Sequence, residues 1–178
     1  LEGALEIECL PQKDKRGSFV RFFCQKSLSK LFNNTKIVQI NSSYSRMAGT
    51  IRGLHFQSYP SQENKFIRCI KGKIFDVIVD LRKESKTFGK SYSVILDSKK
   101  MNMIFVPSGF AHGFQTLLPD CEILYLHTDY HNTELEKGYH YNSSDLKIPW
   151  PIEVTQISEK DKNLEIFKYE RKKVYHEV

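Results

Sequence analysis

Short extended runs, several of them alternating between apolar and polar residues, follow one another along the chain. Alternation of this kind places apolar side chains on one face of a strand. The runs that predict strands are residues 5–8, 18–23, 36–41, 49–57, 65–70, 73–81, 91–96, 101–106 and 121–128. Turn residues separate them, and Lys71-Gly72 predicts a hairpin between the two strands that flank it. The pattern therefore predicts an all-β sandwich or barrel of antiparallel strands.

Helical spacing is limited to two stretches. Residues 27–32 carry apolar side chains on one side, and beyond Ser158 the residues Leu164 and Phe167 stand at i, i+3. We expect a few short peripheral helices, including a helical tail from about residue 158. The chain is long enough for one sizeable core and too short for two, so residues 1–178 are predicted to form a single domain.

Composition narrows the choice of partners. The chain has 27 Lys and Arg against 21 Asp and Glu, a formal net charge of +6 that favours anionic ligands. The basic residues are scattered and accompany no nucleic-acid-binding motif, so we expect a nucleotide-like small ligand and neither DNA nor RNA. No apolar run approaches the roughly 18 residues that span a bilayer, and no secretory signal is visible. Four widely spaced cysteines without a C-x-x-C pair predict reduced thiols in a cytoplasmic protein.

The richest candidate chemistry lies in residues 49–57, Gly-Thr-Ile-Arg-Gly-Leu-His-Phe-Gln. With period-two alternation, Arg52 and His55 point to opposite faces of a strand. A bulge at Gly53 would bring both side chains to one pocket, because glycine inside a strand often marks such a bulge. His55 in a largely apolar hollow is a candidate general base, and the ordinary alternative is a core histidine satisfied by a neighbour.

Two half-motifs resemble the cupin jelly roll: a glycine six positions before His55, and Pro-x-Gly-x-x-His ending at His112. Metal-binding cupins carry a second histidine where this chain has Gln57. A set of His55, His112 and Glu63 would still suit Fe(II), which favours two histidines and one carboxylate. A metal-dependent cupin is therefore one alternative.

A longer ordered series of motifs covers about residues 14–161 and closely resembles the dTDP-4-dehydrorhamnose 3,5-epimerase family. Its pieces are residues 49–57, 65–68, 72–82, 87–89, 106–114, 122–125 and 158–161. The resemblance implies a cupin-type jelly roll that uses neither metal nor other cofactor. It also implies a homodimer that exchanges N-terminal strands.

The resemblance implies an isomerase acting on a nucleotide-linked 4-keto-6-deoxy sugar. The C4 ketone acidifies the protons on C3 and C5, so an epimerase needs a base, an acid on the opposite face and a cation for the enolate oxygen. By resemblance, the base is His55, its partner is Asp161, the proton donor is Tyr125, the enolate is stabilised by Lys65, and the substrate is oriented by Arg52.

Further residues match substrate-binding positions of the family. Arg16 matches an arginine that contacts phosphate in the partner subunit's site, and Gln39, Asn41 and Tyr130 match positions lining the nucleotide-sugar cleft. His112 is either a site residue or a packed histidine.

Each assignment has an ordinary alternative. Ser158-x-x-Asp161 also reads as a helix capping box, and one carboxylate could not easily serve both roles. Tyr125 by default is a core aromatic, and Lys65 a solvated strand lysine. The remaining histidines belong to no constellation and are expected at the surface: His127, His131, His140 and His176.

The sequence departs from the family pattern at two places. Arg21 stands where the family usually has glutamate, which leaves the nucleotide preference open, and residues 141–144 replace a Trp-Asn-Asp segment. We predict an epimerase that inverts C3, C5 or both in a dTDP-4-dehydro-6-deoxyhexose, for dTDP-L-rhamnose or a related deoxysugar. A non-catalytic sugar-nucleotide-binding module is the other alternative.

Overall fold

The computed structural model describes residues 1–31 and 35–169, and antiparallel strands dominate it. The strands are β1 (Leu5–Glu8), β2 (Gln12–Asp14), β3 (Gly17–Phe19), β4 (Gln39–Ser45), β5 (Ile51–Gln57), β6 (Lys65–Lys71), β7 (Lys73–Asp80), β8 (Ser91–Asp97), β9 (Asn102–Val106), β10 (Phe110–Thr116), β11 (Cys121–His127) and β12 (Glu136–Gly138). Single 3₁₀ turns occur at Ser29–Leu31 and Ser144–Leu146, and one short helix, α1, spans Glu159–Lys162.

The strands form two five-stranded sheets. The first has the order β1-β9-β6-β11-β4, the second has the order β12-β5-β10-β7-β8, and β2 and β3 make a separate hairpin. The predicted all-β, cupin-like jelly roll with a few short helices is confirmed. No helix in the described ranges is long and apolar enough to cross a membrane.

The main core lies between the two sheets. Ile67 and Ile104 from the first sheet meet Ile78, Leu96 and Phe114 from the second, and each is 1% exposed or less. Burying a side chain of this size contributes about 1.5–3 kcal/mol. Val77 and Val79, which flank Ile78 along β7, pack on the outer face of the second sheet. The chain thus buries both faces of its central strands.

The predicted hairpin at Lys71-Gly72 is wrong. β6 belongs to the first sheet and β7 to the second, so the chain turns a corner between sheets at this point. Gly72 has a φ of +85°, and a Cβ there would lie 2.6 Å from the Sγ atom of Cys121. Local sequence does not separate the two cases, since a glycine with positive φ suits either turn.

Other boundaries also moved. The strand predicted at residues 36–41 is found at Gln39–Ser45 as β4, and its exposed position at the edge of the sheet explains its polar composition. Of the helical stretch predicted at residues 27–32, only Ser29–Leu31 forms a 3₁₀ turn, and residue 32 lies outside the described residues. The helical tail is reduced to the single turn of α1; residues 163–169 are not helical, and residues 170–178 lie outside the described ranges.

Candidate active site

A cavity of about 980 Å³ opens between the two sheets and the segment that leads into α1. Strands β4, β6 and β11 of the first sheet form one wall, β5 and β10 of the second form the other, and residues 154–162 close one side. The residues expected to act on substrate that line it are Asn41, Arg52, His55, Lys65, His112, Tyr125 and Asp161. Residues from distant parts of the sequence therefore meet in one place.

The bulge expected at Gly53 is present. Across β5 and β10, His55 pairs with His112 and Arg52 with Phe114, so three steps on β5 oppose two on β10. Gly53 has a φ of +106°, and a Cβ there would lie 2.6 Å from the carbonyl oxygen of His112. The extra residue turns Arg52 and His55 towards the same cavity.

His55 and Asp161 form a close pair. His55 Nε2 lies 2.7 Å from Asp161 Oδ1, and the backbone N–H of Gly53 donates to Asp161 Oδ2 at 3.1 Å. Burial raises the pKa of Asp161, but the hydrogen bonds from His55 and Gly53 outweigh it, so the pKa is lowered overall. A carboxylate facing Nε2 holds a hydrogen on that nitrogen and leaves Nδ1 as the basic atom.

The capping interpretation of residues 158–161 is half right. Ser158 Oγ accepts from the backbone N–H of Asp161 at 3.0 Å, which caps α1. The carboxylate of Asp161 is free to face His55 because the cap uses only its backbone. One residue serves both elements through different atoms, contrary to the sequence expectation.

Tyr125 lies on the facing wall. It belongs to β11 of the first sheet, whereas His55 belongs to β5 of the second. Its hydroxyl is 2.8 Å from Ser43 Oγ. Burial raises the pKa of the phenol, and the hydrogen bond with Ser43 and the charge of Arg52 offset only part of that rise. The hydroxyl therefore stays protonated at neutral pH.

Lys65 opens β6 and points into the cavity instead of solvent. Its side chain is 13% exposed, and Nζ lies 3.2 Å from Glu63 Oε2. The guanidinium of Arg52 is held by strand β4, since it donates to Ser45 Oγ at 3.1 Å and to the carbonyl of Tyr44 at 2.9 Å. Two positively charged side chains, Lys65 and Arg52, are therefore held in place at the cavity.

His112 is both packed and at the site. Its Nε2 lies 2.8 Å from Asp76 Oδ2, both side chains are buried, and the ring meets Tyr125 edge to face at 6.3 Å. Burial raises the pKa of Asp76, and His112 opposes that rise only in part. His112 therefore forms part of the cavity floor beside the Tyr125 ring.

The surface assignment of His127 is wrong. Its side chain is 11% exposed and lines the cavity, with Nδ1 2.7 Å from Glu63 Oε1. No sequence motif marked it, because its partners Glu63 and Asn41 are 64 and 86 residues away. Exposed His131 also lines the cavity and half-buried His140 does not, while His176 lies outside the described residues.

The alternative metal set of His55, Glu63 and His112 is not assembled. His55 faces Asp161, His112 faces Asp76, and Glu63 contacts Lys65 and His127. Within residues 1–31 and 35–169, no group of three or more His, Cys, Asp or Glu side chains is placed to hold a metal ion.

The expected nucleotide-facing residues are spread more widely. Asn41 lines the cavity, and Gln39 Nε2 donates to Asn41 Oδ1 at 3.2 Å. Tyr130 is 69% exposed beside a smaller depression of about 420 Å³. Arg16 lies on the β2–β3 turn, with its side chain 91% exposed and paired to Asp14, and it does not line the cavity.

Sequence reasoning also missed charged residues at the cavity rim. Glu136 on β12 pairs with Lys160 at 2.8 Å, and both line the cavity together with Lys162. Burial raises the pKa of Glu136, but the hydrogen bonds from Lys160 and His131 outweigh this effect, so the pKa is lowered overall. Lys160 stands inside the motif of residues 158–161, whereas Glu136 and Lys162 belong to no motif and are placed at the site only by the fold.

Comparisons with known proteins agree on one family. The family model of dTDP-4-dehydrorhamnose 3,5-epimerase matches residues 1–169. The dTDP-4-dehydrorhamnose 3,5-epimerase of Methanothermobacter thermautotrophicus is 40% identical over 166 residues, which is 92% of this chain and 89% of that protein. The Bacillus anthracis enzyme, solved with TDP and PPi bound, has a TM-score of 0.89 at 41% identity and covers 92% of this chain and 94% of its own. The Legionella pneumophila enzyme, in complex with dTDP-4-keto-L-rhamnose, has a TM-score of 0.88 at 36% identity over 93% and 88%.

Proposed function

The chain belongs to the dTDP-4-dehydrorhamnose 3,5-epimerase family, and we propose that it inverts both C3 and C5 of a dTDP-4-dehydro-6-deoxyhexose. It is an isomerase. Its product would serve dTDP-L-rhamnose synthesis, as the names of its relatives indicate. The net charge of +6 suits a substrate with a pyrophosphate.

The observation that carries this proposal is the pairing of His55 with Asp161 on one wall of the cavity and Tyr125 on the other. Inversion at carbon requires a base and an acid on opposite faces of the sugar ring. A His–Asp pair and a protonated phenol on facing sheets meet that requirement. A non-catalytic binding module has no use for it.

The reaction proceeds by proton abstraction next to the C4 ketone. His55 takes the proton from C3 or C5 through Nδ1, and the carboxylate of Asp161 stabilises the resulting imidazolium. The electron pair of the broken C–H bond moves into the ring and the C4 oxygen gains negative charge. Lys65 and Arg52 stabilise that enolate oxygen.

Tyr125 completes the inversion. It donates its proton to the opposite face of the same carbon, and the enolate collapses to the ketone. The phenolate left behind is stabilised by Ser43 and by the charge of Arg52, which both act to lower the phenol pKa. Solvent then returns a proton to Tyr125 and removes one from His55.

A homodimer is part of the proposal. Arg68 is 3% exposed, and its Nε and Nη1 atoms have no hydrogen-bond partner among the described residues, although its guanidinium stacks on Phe22 at 3.3 Å. Leu10, Phe19 and Ile40 are large apolar residues that are 84%, 65% and 61% exposed. A second copy that covers these exposed apolar side chains would remove them from water.

The dimer would also give Arg16 a role. Its hairpin stands away from its own cavity, so we propose that it reaches the pyrophosphate in the partner's site. Light scattering should give the mass of two chains at micromolar concentration. Arg16→Ala should raise KM about tenfold with little change in kcat, the loss of one charged contact. A mass of one chain would contradict the proposal.

The cellular location and the nucleotide are proposed on smaller observations. All four cysteines are free, as suits the reducing cytoplasm. Arg21 is exposed and replaces a glutamate of the family pattern, so preference for dTDP over other nucleotides is best measured by competition.

Solvent exchange tests the function. The enzyme is incubated with dTDP-4-dehydro-6-deoxy-D-glucose in D₂O, and deuterium at C3 and C5 is followed by NMR and mass. Deuterium at both carbons is expected, and the His55→Ala control should lose it. Label at one carbon would reduce the proposal to a single-centre epimerase. Tight binding without any exchange would favour the binding module.

A further inference from the structure

One wall of the cavity carries a continuous series of polar contacts. It begins at the backbone N–H of His131, which donates to Gln39 Oε1 at 3.1 Å, and Gln39 Nε2 donates to Asn41 Oδ1 at 3.2 Å. Asn41 Nδ2 then lies 3.3 Å from His127 Nε2. We call this series, together with its continuation through Glu63 to Lys65, the polar relay.

The relay continues through a carboxylate. His127 Nδ1 lies 2.7 Å from Glu63 Oε1, and Lys65 Nζ lies 3.2 Å from Glu63 Oε2. The carboxylate therefore uses one oxygen for the imidazole and the other for the ammonium. The three side chains at this end of the relay are nearly buried: Glu63 is 8% exposed, His127 is 11% exposed and Lys65 is 13% exposed.

The direction of every bond follows from the first. A backbone N–H can only donate, which fixes the oxygen of Gln39 towards His131 and its NH₂ towards Asn41. Asn41 must then present its own NH₂ to His127, so His127 Nε2 accepts. The hydrogen of the ring consequently sits on Nδ1, where it is donated to Glu63. A hydrogen on Nε2 would face the donor of Asn41.

The charges are consistent with this direction. Burial raises the pKa of Glu63, but the hydrogen bond from His127 and the charge of Lys65 more than offset it, so the pKa is lowered. Glu63 is therefore an anion that pairs with the ammonium of Lys65 through one oxygen and with the Nδ1–H of His127 through the other. The ring of His127 also stacks on Tyr125 at a centroid distance of 6.2 Å and an interplanar angle of 25°.

We propose that Glu63 and His127 are positioning residues that hold the ammonium of Lys65 at one point in the cavity, where it meets the enolate oxygen. A free lysine side chain must lose rotamer entropy when it meets the enolate oxygen, and the relay removes that loss in advance. The inference rests on the proposed function in one respect, the role of Lys65 towards the enolate.

Two variants break the relay differently. Glu63→Gln keeps the shape but sets an NH₂ against either His127 or Lys65, both of which donate. His127→Phe keeps an aromatic ring against Tyr125 and removes both hydrogen bonds of the imidazole. For each, kcat should fall about 10- to 30-fold while KM changes less than about threefold. Glu122→Gln is the matched control, since Glu122 lies on β11 outside the cavity, 3.9 Å from Lys71.

A double-mutant cycle separates positioning from a general structural role. In a Lys65→Met background, Glu63→Gln should lower kcat less than about twofold further, because the residue acts through the missing ammonium. A structural role would lower kcat by the same factor in both backgrounds. Equal factors would overturn the proposal.

A readout independent of activity keeps the inference distinct from the proposed function. Reductive methylation with ¹³C-formaldehyde reports the reactivity of the Lys65 amine, assigned as the NMR signal missing from Lys65→Met. Glu63→Gln and His127→Phe should methylate at Lys65 about tenfold faster than the wild type and Glu122→Gln. Unchanged reactivity would overturn the positioning role. Faster methylation with unchanged kcat would support positioning and contradict instead the proposed role of Lys65 in the reaction.

Discussion

Replacing Asp161 by asparagine tests whether its carboxylate acts on His55 or only belongs to the cap of α1. The substitution keeps the backbone N–H that Ser158 Oγ accepts at 3.0 Å, so the cap remains. It removes the negative charge 2.7 Å from His55 Nε2. We expect a catalytic defect in a folded protein.

The magnitude follows from the kind of bond that is lost. A hydrogen bond to a charged group contributes about 1.5–3 kcal/mol, more than a neutral one. The imidazolium forms only as the substrate loses its proton, so the loss falls on the transition state. At about 1.4 kcal/mol for each factor of ten, kcat should fall about 10- to 150-fold.

The assay is solvent exchange into C3 and C5 alongside kcat, with thermal unfolding measured on the same samples. Ser158→Ala is the matched control, because it removes the cap and leaves the carboxylate. It should cost about 0.5–2 kcal/mol of stability and change kcat only a few-fold. If Asp161→Asn retained wild-type exchange, or if both variants lost activity equally, the assignment of the carboxylate to His55 would be refuted.

Three further predictions follow from the same geometry. Tyr125→Phe should lower epimerised product at least about 100-fold while hydrogen exchange on the original face continues, as mass and NMR would report; parallel loss of both would contradict its role as donor. Gly53→Ala should lower the thermal midpoint more than Gly17→Ala, because its Cβ would lie 2.6 Å from a backbone oxygen whereas nothing lies within 4 Å of Gly17. Asp161 and Glu63 have lowered native pKa values, so the stability they contribute is complete above the ordinary carboxyl range near 4 and is lost as pH falls through the lowered values. The urea concentration at the unfolding midpoint should therefore decrease as the pH is lowered below about 4, and it should decrease less steeply in Asp161→Asn. A midpoint that rose on acidification would contradict the predicted direction.

Much of the site was predictable because several catalytic candidates stand in local motifs. Arg52 and His55 share one short segment, and Gly53 between them predicted the bulge that turns both side chains towards the cavity. The family resemblance supplied Tyr125 and Lys65. The structure places both on the wall that faces His55.

The polar relay was not predictable in the same way. His127 has an ordinary strand environment in the sequence, between Leu126 and Thr128, and nothing there separates it from a surface histidine. Its partner Glu63 was noticed only as a candidate metal ligand. The pairing depends on the register of β6 and β11, which sets Lys65 opposite His127.

The sequence by itself determined the strand-rich class, the span of most strands and the chemistry of residues 49–57, because side-chain alternation and glycine conformation act locally. The tertiary structure decided which strands share a sheet. It placed β6 and β7 in different sheets, with the corner at Gly72, and it brought Asp161 next to His55, which lies 106 residues earlier in the chain. Such contacts depend on how two whole sheets pack, and that packing is set by the sum of many buried side chains and by no single segment.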